Sequence, residues 1–163
     1  MHYPAIVWQE NRTTVAEFPD CPGCHSEVAS GEDIRPAACE ALDGWLEAHL
    51  VLGRVPPLPG AAPRRAPAGR RLLLVPVPAP LALRIQLRVA RHRAGLTQAA
   101  LARKVGVHQQ QIAELESPDA NITVGTLLRV AEALGQDVAI DLSPKHGTMG
   151  NRRRRRTRPA TER

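Results

Sequence analysis

The sequence predicts an α+β chain in two parts: a small unit of β-β-β-α-β order, then an all-α unit built on a helix-turn-helix. Three observations lead there. Apolar residues alternate with polar ones through the first segment, then recur at helical spacing after Asp33 and again after Pro80. Residues 56–70 (PPLPGAAPRRAPAGR) are too rich in Pro, Gly, Ala and Arg to bury a core, so they are expected to form an extended, solvated connector. Gly95, Gly106 and Gly135 then punctuate residues 81–142 as helix ends and a tight turn would.

The first unit, residues 1–77, reads as follows. Tyr3 to Trp8 and Thr13 to Phe18 are short strands separated by the polar turn Gln9-Glu10-Asn11-Arg12. Pro19-Asp20-Cys21-Pro22-Gly23 is turn chemistry, and Cys24 to Ala29 is a third strand. Asp33 caps a helix that tolerates Pro36 in its first turn. Ile34, Ala38, Ala41, Trp45, Ala48 and Leu52 give that helix one apolar face over residues 34–53. Gly53, followed by Pro56 and Pro57, ends it. Leu72 to Val77, wholly apolar, returns to the sheet as a fourth strand.

In the second unit, residues 81–142, Leu83, Leu87 and Ala90 or Ala94 line one face of a first helix. Arg84, Arg88, Arg91 and Arg93 fall largely on the other faces. Thr97 caps a second helix, Gln98 to Val105, which buries Leu101, Ala102 and Val105. Gly106 turns the chain, Val107 seals the turn, and a third helix, His108 to Ser117, buries Ile112 and Leu115. Thr123 caps a fourth, which buries Leu127, Leu128, Ala131 and Leu134. A major groove admits one helix, braced by a second that crosses the backbone. The apolar residues of helices two and three supply the faces such a pair needs. Gln109, Gln110, Gln111 and Ala113 are left outward on helix three. Glutamine suits bidentate contact with adenine, and base edges are read at the N-terminal end of a recognition helix. Gln98 is placed to hold a phosphate at the positive end of helix two. The expected DNA contacts are therefore Thr97, Gln98, His108, Gln109, Gln110, Gln111 and Ala113.

Two family resemblances accompany this reading. Phe18-Pro19-Asp20-Cys21-Pro22-Gly23-Cys24, then Gly31-Glu32-Asp33, then Val55-Pro56-Pro57-Leu58-Pro59 resemble the HicB antitoxins over residues 3–77. That resemblance implies a degenerate RNase H-like fold that masks a small basic mRNA-cleaving toxin of the HicA type. Gly95-Leu96-Thr97-Gln98, Leu101-Ala102, Gly106-Val107, Ile112, Glu116 and the run Thr126 to Gly135 resemble the Xre/Cro DNA-binding domains over residues 81–135. Here it implies that Arg88 or Arg91 pairs with Glu116 and locks helix one onto helix three. The sequence departs from the Xre/Cro pattern at His108, where a Ser or Thr cap is usual, and at Ala100, where Glu would complete a capping box.

Charge is unevenly distributed along the 163 residues, whose formal total is +6. Residues 1–60 carry −6, residues 61–80 carry +4, residues 81–142 carry +1 and residues 143–163 carry +7. An acidic front suits a basic partner, and a basic rear suits a polyanion. Glu17, Asp20, Glu27, Glu40, Asp43 and Glu47 are the expected toxin contacts. All four aromatics (Tyr3, Trp8, Phe18, Trp45) lie in the front unit, so the rear has no platform for stacking single-stranded bases. No apolar run approaches a membrane span, and residues following Met1 lack a signal-peptide layout; a cytoplasmic protein is expected.

Enzymatic and cofactor roles find little support. Cys21-Pro22-Gly23-Cys24-His25 matches the C-x-x-C-H haem pattern, but such attachment requires export. A redox thiol would sit at a helix N-terminus, whereas this pair is expected in a hairpin turn. Zinc through Cys21, Cys24, His25 and Cys39 or His49 lacks a second paired motif. A nuclease needs converging carboxylates, which nothing in the spacing of Glu17, Asp20 and Glu27 fixes. The chain is read as a non-enzyme without cofactor.

Val138-Ala139-Ile140-Asp141-Leu142 alternates as an edge strand would, and is expected to pair with its copy through Val138, Ile140 and Leu142. The resulting homodimer, or a larger toxin–antitoxin assembly, would place two reading helices on half-sites ~34 Å apart. Residues 143–163, with Arg152 to Arg156, form an expected disordered tail able to touch phosphates. The reading is an antitoxin that masks its toxin and represses its own operon through a double-stranded DNA operator. The alternative is a repressor whose front unit senses a ligand or only dimerises.

Overall fold

The computed structural model describes residues 1–63, 65–117 and 122–139. Among the described residues nine elements follow one another: β1 (His2–Glu10), β2 (Thr13–Glu17), β3 (His25–Ala29), α1 (Ile34–Val51), β4 (Arg71–Pro76), α2 (Ala79–Arg93), α3 (Gln98–Val105), α4 (Gln109–Leu115) and α5 (Val124–Ala133). The front part has the β-β-β-α-β order, and the chain is an α+β mixture.

The four strands form one antiparallel sheet in the order β3-β2-β1-β4. Strand alternation sends Tyr3, Ala5 and Val7 into the core beside Ala16, Phe18, Leu73 and Val75. The β1–β2 connection is tighter than the expected Gln9-to-Arg12 turn. Both strands run on until only Asn11 and Arg12 remain between them, and Asn11 takes the left-handed conformation (φ 53°) that such short hairpins require.

Asp33 caps α1 by accepting the Arg35 N–H at 3.1 Å. The buried stripe of α1 is Ile34, Ala38, Leu42, Leu46 and Leu50, which shares Ile34 and Ala38 with the expected face and departs from it thereafter. Ala41 and Trp45 only flank it, Ala48 is exposed, and Leu52, past the last turn, is 63% exposed. A strict four-residue spacing drifts by about 40° per step, so it departs from the 3.6-residue template within three turns. Left-handed Gly53 then closes the helix.

The connector is not solvated throughout. Pro56 is fully buried, Leu58 packs on the core, and the Tyr3 hydroxyl donates to the Pro57 carbonyl at 2.6 Å. The Gly60 N–H donates to Asp20 Oδ2 at 2.9 Å, pinning the same stretch to the loop after β2. Rigid prolines lose little entropy when fixed, which lets so short an apolar stretch dock.

Helix α2 serves two cores. Leu81, Ala82, Ile85 and Val89 join the sheet and α1, while Leu87 joins α3, α4 and α5, with Leu83 and Ala90 packed beside it. The expectation of one apolar face is corrected accordingly, and so is the placement of its arginines. Arg84, Arg88 and Arg91 are buried, and Arg93 is exposed. Acceptors meet Arg88 and Arg91 in the seam, whereas Arg84 donates to the Pro80 carbonyl of its own helix and lies 3.7 Å from Glu47, with Nη1 unpartnered among the described residues. In α5 the buried residues are Leu127, Val130 and Ala131, with Leu134 just after; Leu128, expected inside, is 49% exposed. No helix among the described residues is long and apolar enough to cross a membrane.

Candidate nucleic-acid interface

The helix pair is set by local chemistry. Thr97 Oγ1 accepts the Ala100 N–H at 3.1 Å and starts α3. Gly106 ends it in the left-handed region (φ 74°), where an L side chain is strained, and the Val107 N–H returns to the Ala102 carbonyl at 3.0 Å. Leu101, Ala102, Ile112 and Leu115 meet in the second core, with Val105 and Val107 packed against it. These contacts leave Gln109, Gln110 and Gln111 exposed on α4.

The three glutamines are not equivalent. Gln111 Oε1 accepts the backbone N–H of His108 at 3.1 Å, so this side chain braces the start of α4. Gln110 Nε2 donates to Glu114 Oε1 at 3.1 Å, one turn along an exposed face. Gln109 has no intramolecular side-chain hydrogen bond among the described residues and is the amide most available to a base edge. His108 is exposed at the N-cap, and Ala113 is half-buried.

Gln98 turns inward. Its Nε2 donates to Glu116 Oε2 at 3.1 Å rather than projecting free from the first turn of α3. Glu116 is 3% exposed and also receives Arg91 Nε (2.6 Å), Arg91 Nη2 (2.8 Å) and Arg88 Nε (3.2 Å). Burial by itself would raise the pKa of this carboxyl. Hydrogen bonds from Arg91 and Gln98, with the charges of Arg91 and Arg88, outweigh it and hold the group below its ordinary value. Both arginines named in the sequence reading thus engage Glu116. A link that reading missed is Arg88 Nη1 to the Leu50 carbonyl of α1, at 2.7 Å. Its only sequence signal is a second arginine three residues before Arg91, on the same side of the helix.

The six acids expected to contact a toxin do not form one patch. Glu17 and Glu27 are exposed on the sheet face turned away from α1, in register with Ile6 and Val15. Glu40 and Glu47 are exposed on α1, and Glu47 lies 3.7 Å from Arg84. Asp43 is half-buried with Oδ1 unpartnered, and desolvation, then Glu47, raises its pKa. Asp20 is occupied by Gly60.

Cys21 and Cys24 are core residues, at 0% and 3% exposure, within the loop that joins β2 to β3. Burial pushes their thiols up to about 12 and about 11. Among the described residues no group of three His, Cys, Asp or Glu side chains is arranged to hold a metal ion. Val138 packs against the second core of its own chain; Ile140, Leu142 and the tail 143–163 lie outside the described residues.

Comparison with known proteins adds the following. No curated protein matches the chain. Among solved structures, a chain of the HicA3 and HicB3 toxin-antitoxin complex is 27% identical, with 48% of this chain and 99% of that one covered, at a TM-score of 0.42. A chain of a HipB-O1-O2 complex is 26% identical over 40% of this chain and 96% of its own, at a TM-score of 0.37. One from the HipA-HipB-O2-O3 complex is 25% identical over 42% and 97%, at 0.37. The family model HTH_3, helix-turn-helix, matches residues 87–140. With α3 and α4 arranged around the Gly106 turn, this part of the chain is a helix-turn-helix domain.

Proposed function

We propose that the protein is an antitoxin that represses its own operon: α4 reads a double-stranded operator, and the acidic front unit masks a small basic mRNA-cleaving toxin of the HicA type. The observation that carries the DNA half is the outward Gln109 and Gln110 at the start of α4, propped by buried Ile112 and Leu115. Such amides suit adenine edges, and buried aliphatics behind them hold the helix rigid.

Support for the toxin half is the −6 charge of residues 1–60 together with the HicB-like motifs, two of which do structural work. Asp20 accepts the Gly60 N–H just past the proline run, and the Pro57 carbonyl within that run accepts the Tyr3 hydroxyl. We read the sheet and α1 as a degenerate RNase H-like fold without catalytic function. The buried, protonated thiols favour a core role for the cysteine pair over redox chemistry. The assembly is read as a cytoplasmic homodimer or a larger complex with toxin.

Two measurements test this. Purification from its host should recover a small basic protein near one-to-one; its absence would favour a repressor with a ligand-sensing or dimerising front unit. Selection from a random duplex library should enrich a defined site. Enrichment of none would remove the repressor.

A further inference from the structure

Arg88 is 7% exposed and stands in the seam between the two cores. Its Nη1 donates to the carbonyls of Leu50 (2.7 Å) and Arg54 (3.2 Å), and its Nε reaches Glu116 Oε2 at 3.2 Å. The first two acceptors are the last turn of α1 and its exit. The third follows α4 and is shared with Gln98 at the start of α3. One planar cation therefore spans the helix that covers the sheet and the helix pair that faces DNA.

The chemistry makes this joint stiff. Carbonyls at a helix C-terminus lack intrahelical donors and attract a cation. Gly53 arranges them here: in its left-handed conformation its N–H returns to Leu50 O at 3.1 Å, and the Arg54 N–H returns to His49 O at 2.9 Å. A buried guanidinium pulled from either side keeps its charge and loses its acceptors, which costs far more than the same loss in water.

We propose that Arg88 is a positioning residue that couples the order of α1's C-terminal turn to DNA binding by α3 and α4, an inference that rests on the DNA-reading role given above. Coupling of this kind is reciprocal. DNA seated on α4 steadies Glu116, hence Arg88, hence the Leu50 and Arg54 carbonyls. Conversely, any ligand of the front unit that displaces the end of α1 weakens DNA binding.

Amide hydrogen exchange on the full chain tests it, using a duplex enriched from a random-sequence library by the wild-type protein. On adding this duplex, the amides of Leu52, Gly53 and Arg54 should slow several-fold, together with those of α3 and α4. In Arg88→Met the duplex should bind about tenfold more weakly and still slow α4, but no longer slow residues 52–54. Arg88→Lys, whose single ammonium cannot span both sides, serves if the Met variant does not fold, and should lose the same response. Slowing in α3 and α4 without slowing at 52–54, or an undiminished response in the variants, overturns the coupling alone. Enrichment of no duplex, or a duplex that slows neither α3 nor α4, overturns the DNA reading itself and the coupling with it.

Discussion

Inside the protein, the guanidinium of Arg91 meets the carboxylate of Glu116 edge to edge, Nε to Oε1 at 2.6 Å and Nη2 to Oε2 at 2.8 Å. This bidentate pair joins α2 to the end of α4, and Arg91 also donates to the Leu96 carbonyl at 2.8 Å. Glu116→Gln keeps the shape but removes the charge that answers Arg91 and Arg88. Breaking a buried pair from one side costs about 3–5 kcal/mol, so the urea midpoint should fall sharply. A midpoint within error of wild type would show that the pair contributes nothing.

The same carboxyl sets a pH dependence. Its pKa in the fold lies below the ordinary 4.5, so the unfolded chain binds the extra proton first. The stabilisation is complete above that value and is lost as pH falls through the lower, folded one. Stability measured from pH 7 to pH 3 should decline in wild type more steeply below 4.5 than in Glu116→Gln. Parallel profiles would contradict the assignment.

The glutamines of α4 should separate by role. Gln109→Ala and Gln110→Ala should lower discrimination among selected duplexes, by ~1–3 kcal/mol for each bidentate pair lost, with little change in melting. Gln111→Ala should instead cost about 1 kcal/mol of stability through the His108 N–H. Unchanged sequence preference in the Gln109 and Gln110 variants would remove α4 as the reader.

Thiol labelling distinguishes core from surface cysteines. With the native protein at pH 8, Cys39, which is half-buried, should react first. Cys21 and Cys24, protonated and enclosed, should react only as the fold opens. Rapid labelling of all three would place the pair outside the core.

Two leucines on α1 test its observed face. Leu46→Ala, at a fully buried position, should cost about 2–5 kcal/mol. Leu52→Ala, at a mostly exposed one, should change stability by under about 0.5 kcal/mol. Equal losses would restore the face expected from the periodicity.

Strand alternation, Asp33, Thr97, Gly106 and Thr123 announce the elements in the sequence because each acts within a few residues of itself. A strand's period, a cap's hydrogen bond and a left-handed turn are local events, so β-β-β-α-β order and the α3-turn-α4 pair are legible without coordinates. The outward position of Gln109 and Gln110 follows from the same logic, once Ile112 and Leu115 are assigned inward.

Partnership at long range was the business of the tertiary structure. By periodicity Arg84, Arg88 and Arg91 fall on the outer faces of a helix. The family resemblance alone points Arg88 or Arg91 to Glu116, and nothing local announces the carbonyls at the end of α1 that Arg88 also meets. Gln98 reads as a DNA contact for the same reason, yet the distant Glu116 carboxylate accepts from its amide. Gln111 is claimed locally instead, its Oε1 accepting the His108 N–H. Hydrophobic period and capping depend on neighbours along the chain. The burial of a charge depends on acceptors dozens of residues away, and only the packed seam between the two cores brings them together.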